Sequence, residues 1–471
     1  MKKISSIIAA GALAALLAPL SIAQNSVLST GYFTDGYPYR HKLNPAFTPT
    51  MSTISFLVGN ISASTSGSLT AGSLFYPTKD GLSTFMSPNV TADMLLPNLK
   101  DKNTIGTGLD LTLLSVGWFN SSGKIFNTID IDQKASLYGN LPKGLFEFLK
   151  GSSSNNEYDF SGLQLKASSY TQVSFGQSYG FMDGRLRVGY KAKVLFGEAS
   201  MDMNFSKCKA SLGKEKWQIS AEGYLNTEGI PFGTKEVDGK KVLDFTSNKI
   251  DAESMVGNVF SNFGLAFDLG ASFDILDWLQ ASASIQDLGF IGWNHAYKAG
   301  LANASIVYPD PTVSDDKQLD KFGEQMGNLF SPEGSYDGTD KISETLPAIL
   351  RIGAQVRLPM YQKLSAGLLY TQQINPVIKW GEFRGSLNYD ALRWLSLSVS
   401  CAGGTYGAQV GALVNIHTRG FGFFAGMDNI PFKYSVQGMP VNTSTLKANI
   451  GIYIQFGKYF GRYPKEDKKK K

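Results

Sequence analysis

The feature that most limits how this chain can fold is a strict two-residue alternation of side chains over unusually long stretches. In residues 263–275 all seven odd positions are apolar, while the even positions hold only Gly, Ala, Ser and Asp. The same alternation recurs in 186–196, 279–286, 350–358 and 395–401. A period of two places the two sets of side chains on opposite faces of a β-strand. The chain is therefore predicted to be an all-β protein.

Strand length separates a membrane barrel from a soluble β-sandwich. Sandwich strands run about 5–6 residues, whereas a tilted membrane strand needs about 9–11. Several strands here run beyond ten residues, and their predicted number, about 14, is even, as in single-chain bacterial outer-membrane barrels. The predicted strands are 52–60, 107–119, 124–138, 163–178, 184–198, 263–276, 278–289, 347–359, 362–373, 381–390, 392–403, 406–416, 419–427 and 446–457. This predicts a transmembrane antiparallel β-barrel over residues 51–457.

The lengths of the links support the same architecture. Every second link is very short, and the longest links all fall between the short ones, as expected for periplasmic turns and extracellular loops. The predicted extracellular loops are 61–106, 139–162, 199–262, 290–346 and 428–445. Residues 200–224 could also form an outward-projecting hairpin, which would change the strand count by two.

Composition excludes two other classes. Only 18% of residues are charged and mean hydropathy is −0.10, and no stretch past residue 23 approaches the ~18 apolar residues of a membrane helix. Of the net charge of +5, Lys2 and Lys3 contribute +2 and the tail 458–471 contributes +5, which leaves −2 for the body. Polytopic helical membrane proteins and nucleic-acid partners are therefore not expected.

The two ends of the chain predict export and assembly. Residues 1–23 combine Lys2-Lys3, an apolar run and Ser21-Ile22-Ala23, which is typical of a signal peptide. An N-terminal anchor helix is the alternative. We expect the outer membrane of a Gram-negative bacterium, with its lipid as a partner. Cys208 and Cys401 are too few for a disulfide framework, and whether they pair is open.

The last predicted strand carries a terminal pattern. Its polar, glycine, apolar and aromatic positions are Asn449, Gly451, Ile454 and Phe456. The pattern resembles the signal that the barrel-assembly machinery recognises during biogenesis. Residues 458–471 would follow as a basic periplasmic tail, either a solvated end or a contact for anionic lipid or a periplasmic partner.

Charged residues on the predicted strands should point into the barrel, because Lys or Arg at mid-bilayer costs roughly 2–4 kcal/mol. The predicted inward set is Lys166, Arg185, Arg187, Lys191, Lys193, Arg351, Arg357, Asp130, Asp132, Asp268 and Asp274. These charges could form a lattice of ion pairs that fills the barrel. Alternatively, the cations could line a path for an anionic group.

Catalysis, a cofactor and a metal are not expected. His41, His295 and His417 are far apart, and no catalytic motif is present. Asp310, Asp315, Asp316 and Asp320 could form a calcium site but lack EF-hand spacing, so a solvated loop is the simpler interpretation. The chain is therefore not predicted to be an enzyme.

Asn44-Pro45-Ala46, ahead of a fourteen-stranded barrel, resembles the FadL-type transporters of hydrophobic compounds. It is also similar to PorV, the barrel of the type IX secretion system, and to a family of Bacteroidota outer-membrane barrels. The segments that carry this last resemblance are Leu141–Phe146, Asp159–Leu163, Ala266–Gly270, Gln286–Phe290 and Met427–Ile430. The resemblance covers nearly the whole mature chain.

The resemblance implies an architecture and a leading function. Residues 24–50, with Asn44, Pro45 and Ala46, would form a plug. Leu145, Phe146 and Phe148 would lie on a short loop helix that collects a hydrophobic ligand, which then leaves sideways through the wall. FadL-like uptake of a hydrophobic or amphipathic molecule is thus the leading expectation. A PorV-like scaffold or shuttle barrel that works with secretion components is the alternative. A porin-like channel is weaker, because a plug would obstruct flow.

Another loop feature is the apolar stretch around Phe85, Met86 and Met94–Leu96. Exposed apolar surface usually marks a partner or ligand site. The alternative is that this loop folds back over the mouth of the barrel.

Overall fold

The computed structural model describes residues 27–460 apart from several gaps. The gaps are 70, 79–80, 86, 88, 151–155, 213–215, 229–232, 238–239, 245–260, 310–339, 375–378 and 433–444. The predicted signal peptide, residues 461–471 of the tail and the four loop aspartates from Asp310 to Asp320 lie outside the described residues.

The described residues form 21 strands. They are β1 (Ser52–Gly67), β2 (Phe75–Thr78), β3 (Gly81–Thr84), β4 (Lys102–Phe119), β5 (Ile125–Pro142), β6 (Glu157–Asp159), β7 (Gln164–Phe181), β8 (Leu186–Leu212), β9 (Lys216–Glu228), β10 (Gly233–Val237), β11 (Lys240–Asp244), β12 (Phe263–Leu276), β13 (Leu279–Pro309), β14 (Asp340–Thr345), β15 (Ala348–Arg357), β16 (Leu364–Ile374), β17 (Trp380–Leu392), β18 (Leu395–Gly404), β19 (Gly407–Thr418), β20 (Phe421–Met427) and β21 (Leu446–Phe456).

Fourteen wall strands close into a ring. Each pairs antiparallel with the next in the order β1, β4, β5, β7, β8, β12, β13, β15 to β21, and β21 pairs back with β1. β14 pairs with β13 between Phe290 and Ala296. It comes directly before β15 in the chain and extends the same wall strand. The prediction of a fourteen-stranded antiparallel barrel is confirmed.

The alternation seen in the sequence sorts side chains between the outside and the inside of this ring. Along β12 every odd residue from Phe263 to Phe273 except Ala271 is exposed, while the even residues are buried. Large exposed aromatic residues also flank the short turns, as in the interfacial girdles of membrane barrels. These include Phe181, Trp278, Tyr361, Tyr389, Trp394 and Phe421. The protein is therefore an outer-membrane-type barrel with an apolar outer surface.

Two wall strands run further than the alternation predicts. β8 continues to Leu212 and β13 to Pro309, and between these extensions β9 pairs with both. Much of the expected loops 199–262 and 290–346 is therefore strand. The alternation therefore predicts only the first part of each of these two strands.

Helices are few and short. The α-helices are Ala71–Leu74, Ala92–Leu95 and Lys143–Lys150, and the 3-10 helices are Ser29–Gly31, Arg40–Lys42, Leu96–Asn98 and Met182–Gly184. Within the described ranges, none is long and apolar enough to cross a membrane.

The predicted assembly pattern lies on β21. Asn449 points inward, where its Nδ2 donates to Asn60 Oδ1 at 2.9 Å. Ile454 and Phe456 point outward and are exposed. Their recognition during assembly stays a prediction.

Candidate functional site

Residues 27–50, which we call the inner segment, lie among the inward-facing side chains of the wall. Nearly all of them are buried. Their apolar side chains form one core with the wall residues Leu369, Leu413, Phe424 and Tyr453. The inner-segment members of this core are Val27, Leu28, Tyr32, Phe33, Tyr37, Tyr39, Leu43 and Phe47. A packed apolar core therefore occupies this part of the barrel interior.

Asn44 and Pro45 lie directly on two glycines of the wall. Gly189 of β8 and Gly270 of β12 oppose each other in the antiparallel pairing. A Cβ added to Gly270 would come 2.1 Å from Asn44 Oδ1, and one added to Gly189 would come 2.1 Å from the Pro45 carbonyl oxygen. Only glycine fits at these positions without a shift, and we call the pair the glycine seat.

Hydrogen bonds fix the same three predicted residues. The Asn44 amide donates to the carbonyls of Ala271 at 3.3 Å and Ala283 at 3.2 Å. Asn44 Oδ1 accepts from the Ala46 N–H at 2.9 Å, and the Ser178 hydroxyl donates to the Ala46 carbonyl at 2.9 Å. The structure thus brings Asn44, Pro45 and Ala46 together against β7, β8, β12 and β13.

Wall side chains also bind the backbone carbonyls just before this motif. Gln286 donates to the Lys42 carbonyl at 2.7 Å. Ser284 donates to the Leu43 carbonyl at 3.0 Å, and Arg351 Nη1 donates to it at 3.4 Å. Arg351 is fully buried, as expected for a predicted inward residue. These contacts satisfy carbonyls that would otherwise be buried without a partner.

Asp428 holds the beginning of the inner segment. Its carboxylate accepts from the backbone N–H groups of Ser29 and Thr30, both at 2.8 Å, and from the Thr30 hydroxyl at 2.7 Å. Lys447 lies 3.5 Å away and Arg384 lies 3.9 Å away. Burial alone would raise the pKa of Asp428, but these two cations and the Thr30 contacts hold that pKa at about 2.

An ion pair and a hydrogen bond join the middle of the inner segment to the wall. Lys42 lies 2.5 Å from Asp132, and His41 lies 3.3 Å from Asp130. Lys191 lies 2.7 Å from the other oxygen of Asp130. All five side chains are almost completely buried, so removal of Lys42 or Lys191 would leave a costly uncompensated charge on an aspartate.

The other predicted inward charges are mostly paired as well. Lys193 lies 2.6 Å from both Asp268 and Asp287, and Lys166 lies 3.3 Å from Glu344. Further pairs are Asp274 with Gln280, Arg187 with Ser178 and Arg357 with Asp35. The arrangement matches the predicted lattice of ion pairs more closely than a cation-lined path.

Arg185 does not face inward as predicted. It lies in the turn before β8, and its side chain is 54% exposed near Asp277. The strand begins only at Leu186, so Arg185 has left the alternation and does not project into the interior.

Leu145, Phe146 and Phe148 lie on the helix Lys143–Lys150. Leu145 and Phe146 are buried in an apolar core that we call the loop cluster. Phe148 instead packs against Tyr158 and Phe160, with ring centroids 5.4 Å apart in both cases. The buried members of the loop cluster are Leu69, Leu74, Tyr76, Phe85, Val90, Leu95, Leu99, Leu141, Leu145 and Phe146.

The first long loop thus folds back on the barrel. The Phe85 ring packs 5.6 Å from Phe146, and Leu95 is fully buried. Met94 remains 41% exposed, and Met86 lies outside the described residues. Most of the apolar stretch therefore contributes to a core.

A cavity of about 60 Å³, which we call the polar cavity, lies between Ser29 of the inner segment and the wall strands that include β1, β5, β17 and β21. Its lining combines aromatic rings, amides, hydroxyls and charged groups. The lining residues include Tyr138, Trp380, Glu382, Arg384, Tyr406, Gln409, Asp428, Thr445 and Lys447.

The cysteines and histidines, which could serve redox, acid–base or metal chemistry, lie far apart from one another. Cys208 and Cys401 are both free. His417 is buried beside the Ser396 hydroxyl, and His295 lies near Glu228. In the part of the chain that the structure describes, no group of three metal-ligating side chains forms a candidate metal site.

Sequence reasoning missed Asp428 and the glycine seat as site residues. Asp428 was recognised only as part of Met427–Ile430. Gly189 enters the sequence analysis only as a residue of an alternating strand, and Gly270 only as such and as the end of Ala266–Gly270. The available signal was their position on inward faces, where a missing side chain makes room for another segment.

Comparison with known proteins gives one family match. A model described as a family of unknown function (DUF5723) matches residues 45–428. No curated protein matches the chain.

Solved structures include similar barrels at low identity. The toluene transporter TbuX of Ralstonia pickettii is 10% identical, with a TM-score of 0.43, and the match covers 90% of this chain and 95% of that one. A FadL homologue of Pseudomonas aeruginosa is 9% identical, with a TM-score of 0.42 and coverage of 92% and 98%. The toluene transporter TodX of Pseudomonas putida is 7% identical, with a TM-score of 0.39 and coverage of 92% and 97%.

Proposed function

Because the chain belongs to the DUF5723 family, whose function is unknown, we propose a function from its own geometry: uptake of a hydrophobic or amphipathic small molecule across the outer membrane. The observation that carries this proposal is the loop cluster. Ten apolar side chains are buried together where the first long loop packs against the helix Lys143–Lys150 and the end of β5. Such an apolar site at the mouth of a barrel suits capture of an apolar ligand.

Capture takes place where the loops meet. Leu145 and Phe146 face the first long loop, and Phe148 holds the helix to Tyr158 and Phe160. A ligand enters when these loops part and replaces loop–loop apolar contacts with its own. Burial of the ligand's own apolar surface contributes roughly 25 cal/mol of binding free energy for each Å² removed from water.

Release takes place through the wall, because the inner segment occupies the interior below the cavity and acts as a plug. The pairing of β1 with β4 shifts register between Phe56 and Asn60. Within this bulge Leu57 has a φ of 56° and is 75% exposed to the outside. Tyr39 of the inner segment lies at the same place, 2.7 Å from the Ser55 hydroxyl. A bulge beside the plug is a natural weak point in the wall.

The test is native mass spectrometry of the gently extracted protein. We expect a hydrophobic or lipid-like small molecule bound at a one-to-one ratio. The Leu145→Asn variant should lose it, because an amide in the loop cluster is unfavourable beside an apolar ligand. The matched control is Leu387→Asn on the lipid-facing surface of β17. Absence of any small molecule, or equal retention by both variants, would count against uptake.

A second candidate is a scaffold or shuttle barrel in secretion or surface assembly, the role that the resemblance to PorV implies. The buried ion pair between Lys42 of the inner segment and Asp132 of the wall favours it, since a barrel with an occupied interior provides a rigid platform. In the same mass spectra this function predicts bound protein subunits without a small molecule.

Ion flow through the barrel provides another test. Since the inner segment fills the interior, the intact protein should give no steady conductance in planar bilayers. The control is a general porin in the same bilayers. Stable openings of the intact protein would mean that the inner segment leaves the barrel spontaneously, in favour of a porin-like channel.

A further inference from the structure

One rim of the barrel carries a surplus of exposed positive charge. This rim consists of six turns between wall strands and the residues that follow β21, and we call it the turn rim. Its segments are 120–124, 182–185, 277–278, 358–363, 393–394, 419–420 and 457–460. Five of the six turns and the last segment each hold one exposed Lys or Arg. These cations are Lys124, Arg185, Lys363, Arg393, Arg419 and Lys458. Positive charge is therefore spread around most of the circumference.

Few anions offset these cations. The exposed acidic residues of the turn rim are Asp183 and Asp277, so six cations and two anions give a net exposed charge of +4. Arg185 lies 3.6 Å from Asp277, and both side chains are more than half exposed. Lys124 and Lys363 make no ion pair within the described ranges. A net positive charge is therefore left for a partner outside the chain to balance.

The extended strands at the opposite rim show a different pattern, because exposed cations there lie beside anions. Lys207 lies 2.7 Å from Glu222, and Lys209 lies 3.8 Å from Asp159. Surplus positive charge is thus a feature of the turn rim and not of every exposed lysine on this barrel.

Exposed aromatic side chains lie next to the cations of the turn rim. Trp394 follows Arg393 and Tyr459 follows Lys458, and the two rings are 44% and 43% exposed. Two further neighbours, each two residues away from a cation, are Tyr361 beside Lys363 and Phe421 beside Arg419. Trp and Tyr concentrate at the level of the lipid headgroups. The neighbouring cations are therefore placed at the height of the headgroup phosphates.

Lys458 is held at the turn rim by residues close to it in space. The Phe460 N–H donates to the Thr50 carbonyl at 2.7 Å, and the centroid of its ring lies 4.6 Å from that of Phe119. Gly123 lies against the same ring. Lys458 therefore stays beside the turn between β4 and β5.

We propose that the turn rim binds the headgroups of anionic phospholipids, with its cations contacting their phosphates. In bacterial outer-membrane barrels the short turns face the periplasm, so the partner is the periplasmic leaflet. Each Lys or Arg close to an anionic lipid surface favours binding, and at about 0.1 M salt the attraction extends over about 10 Å. Such contacts fix the height of the barrel in the membrane. The inference goes beyond the uptake proposal and does not depend on it.

The experiment measures lipid binding to the full-length protein by native mass spectrometry. Phosphatidylglycerol, which is anionic, and phosphatidylcholine, which has no net charge, are titrated separately with identical acyl chains. In about 0.1 M ammonium acetate, phosphatidylglycerol should bind at least about fivefold more tightly, the effect of roughly one cation for each lipid. The preference should disappear at about 1 M, where screening shortens the range of attraction to about 3 Å.

Two fourfold variants locate this preference. The turn-rim variant, which should reduce it to less than about twofold, combines Lys124→Gln, Lys363→Gln, Arg419→Gln and Lys458→Gln. The matched control, which removes four exposed lysines at the opposite rim and should leave the preference unchanged, combines Lys100→Gln, Lys102→Gln, Lys207→Gln and Lys209→Gln. Exchange of Lys and Arg at the four turn-rim positions keeps the charge and should also keep the preference. All these proteins retain residues 461–471, so the charge of that tail does not distinguish them.

Equal binding of the two lipids by the unaltered protein would overturn this proposal. A preference that the turn-rim variant keeps would also overturn it, because the headgroups would then bind elsewhere. The same loss in the matched control would do so too, since the position of the cations would not matter. None of these results decides the uptake proposal, which the Leu145→Asn variant tests separately.

Discussion

Asp428→Ala should destabilise the folded barrel by about 3–5 kcal/mol, the typical cost of removing one partner from a buried ion pair. The substitution leaves Arg384 and Lys447 without their shared anion. It also removes the acceptor for the Ser29 and Thr30 N–H groups. Urea unfolding of the protein in lipid vesicles measures the change. Limited proteolysis should then cut near the start of the inner segment, which the native barrel protects.

A matched control is Glu222→Ala, which removes an exposed ion pair with Lys207. Exposed pairs contribute about 0–1 kcal/mol, so this variant should unfold almost as the native protein does. Equal effects of the two substitutions would mean that Asp428 does not hold the inner segment.

The same carboxylate gives a pH signature. Its folded pKa of about 2 lies below its ordinary value of 3.8. Its contribution is therefore complete above that ordinary value and is lost as pH falls towards 2. Between pH 4 and 2 the native protein should lose more stability than Asp428→Ala does. Parallel pH profiles of the two proteins would contradict this account of Asp428.

The barrel was predictable because its cause is local. In β12 the type of each residue already indicates which face it is on. Phe263 and Phe267 lie on the exposed outer face, and Asp268 and Gly270 lie on the buried inner face. The same reasoning identified Lys191 and Lys193 as inward residues, and both are buried. It failed at Arg185, because a turn ends the alternation and nothing in the pattern marks that boundary.

The candidate site was less predictable because its contacts join residues far apart in sequence. Asp428 binds Thr30 across 398 positions, and no periodicity links the two. The loop cluster shows the same limit: Leu145 and Phe146 pack against a loop some sixty residues earlier, a contact that no local pattern predicts. The alternation predicts which face of a strand a residue is on, but the residues that pack against that face come from distant parts of the chain and are seen only in the structure.

The glycine seat allows a sharper test of the inner segment. Gly270→Ala and Gly189→Ala should each destabilise the barrel by about 1–3 kcal/mol, as expected for an overpacked site. Gly403→Ala is the matched control in β18, since its added Cβ meets nothing within 4 Å. That control should be neutral or slightly stabilising, because Ala restricts the unfolded chain more than Gly does. Urea unfolding in lipid vesicles measures all three.

The two seat variants should respond differently to a second substitution. At Gly270 the new methyl group meets a side-chain atom, Asn44 Oδ1, whereas at Gly189 it meets the Pro45 backbone. Adding Asn44→Ala should therefore offset part of the cost of Gly270→Ala but none of the cost of Gly189→Ala. A double-mutant cycle isolates this coupling. Additive energies at Gly270 would show that Asn44 does not rest on that glycine. Coupling at Gly270 alone would establish that Asn44 of the inner segment is held by direct contact with the wall.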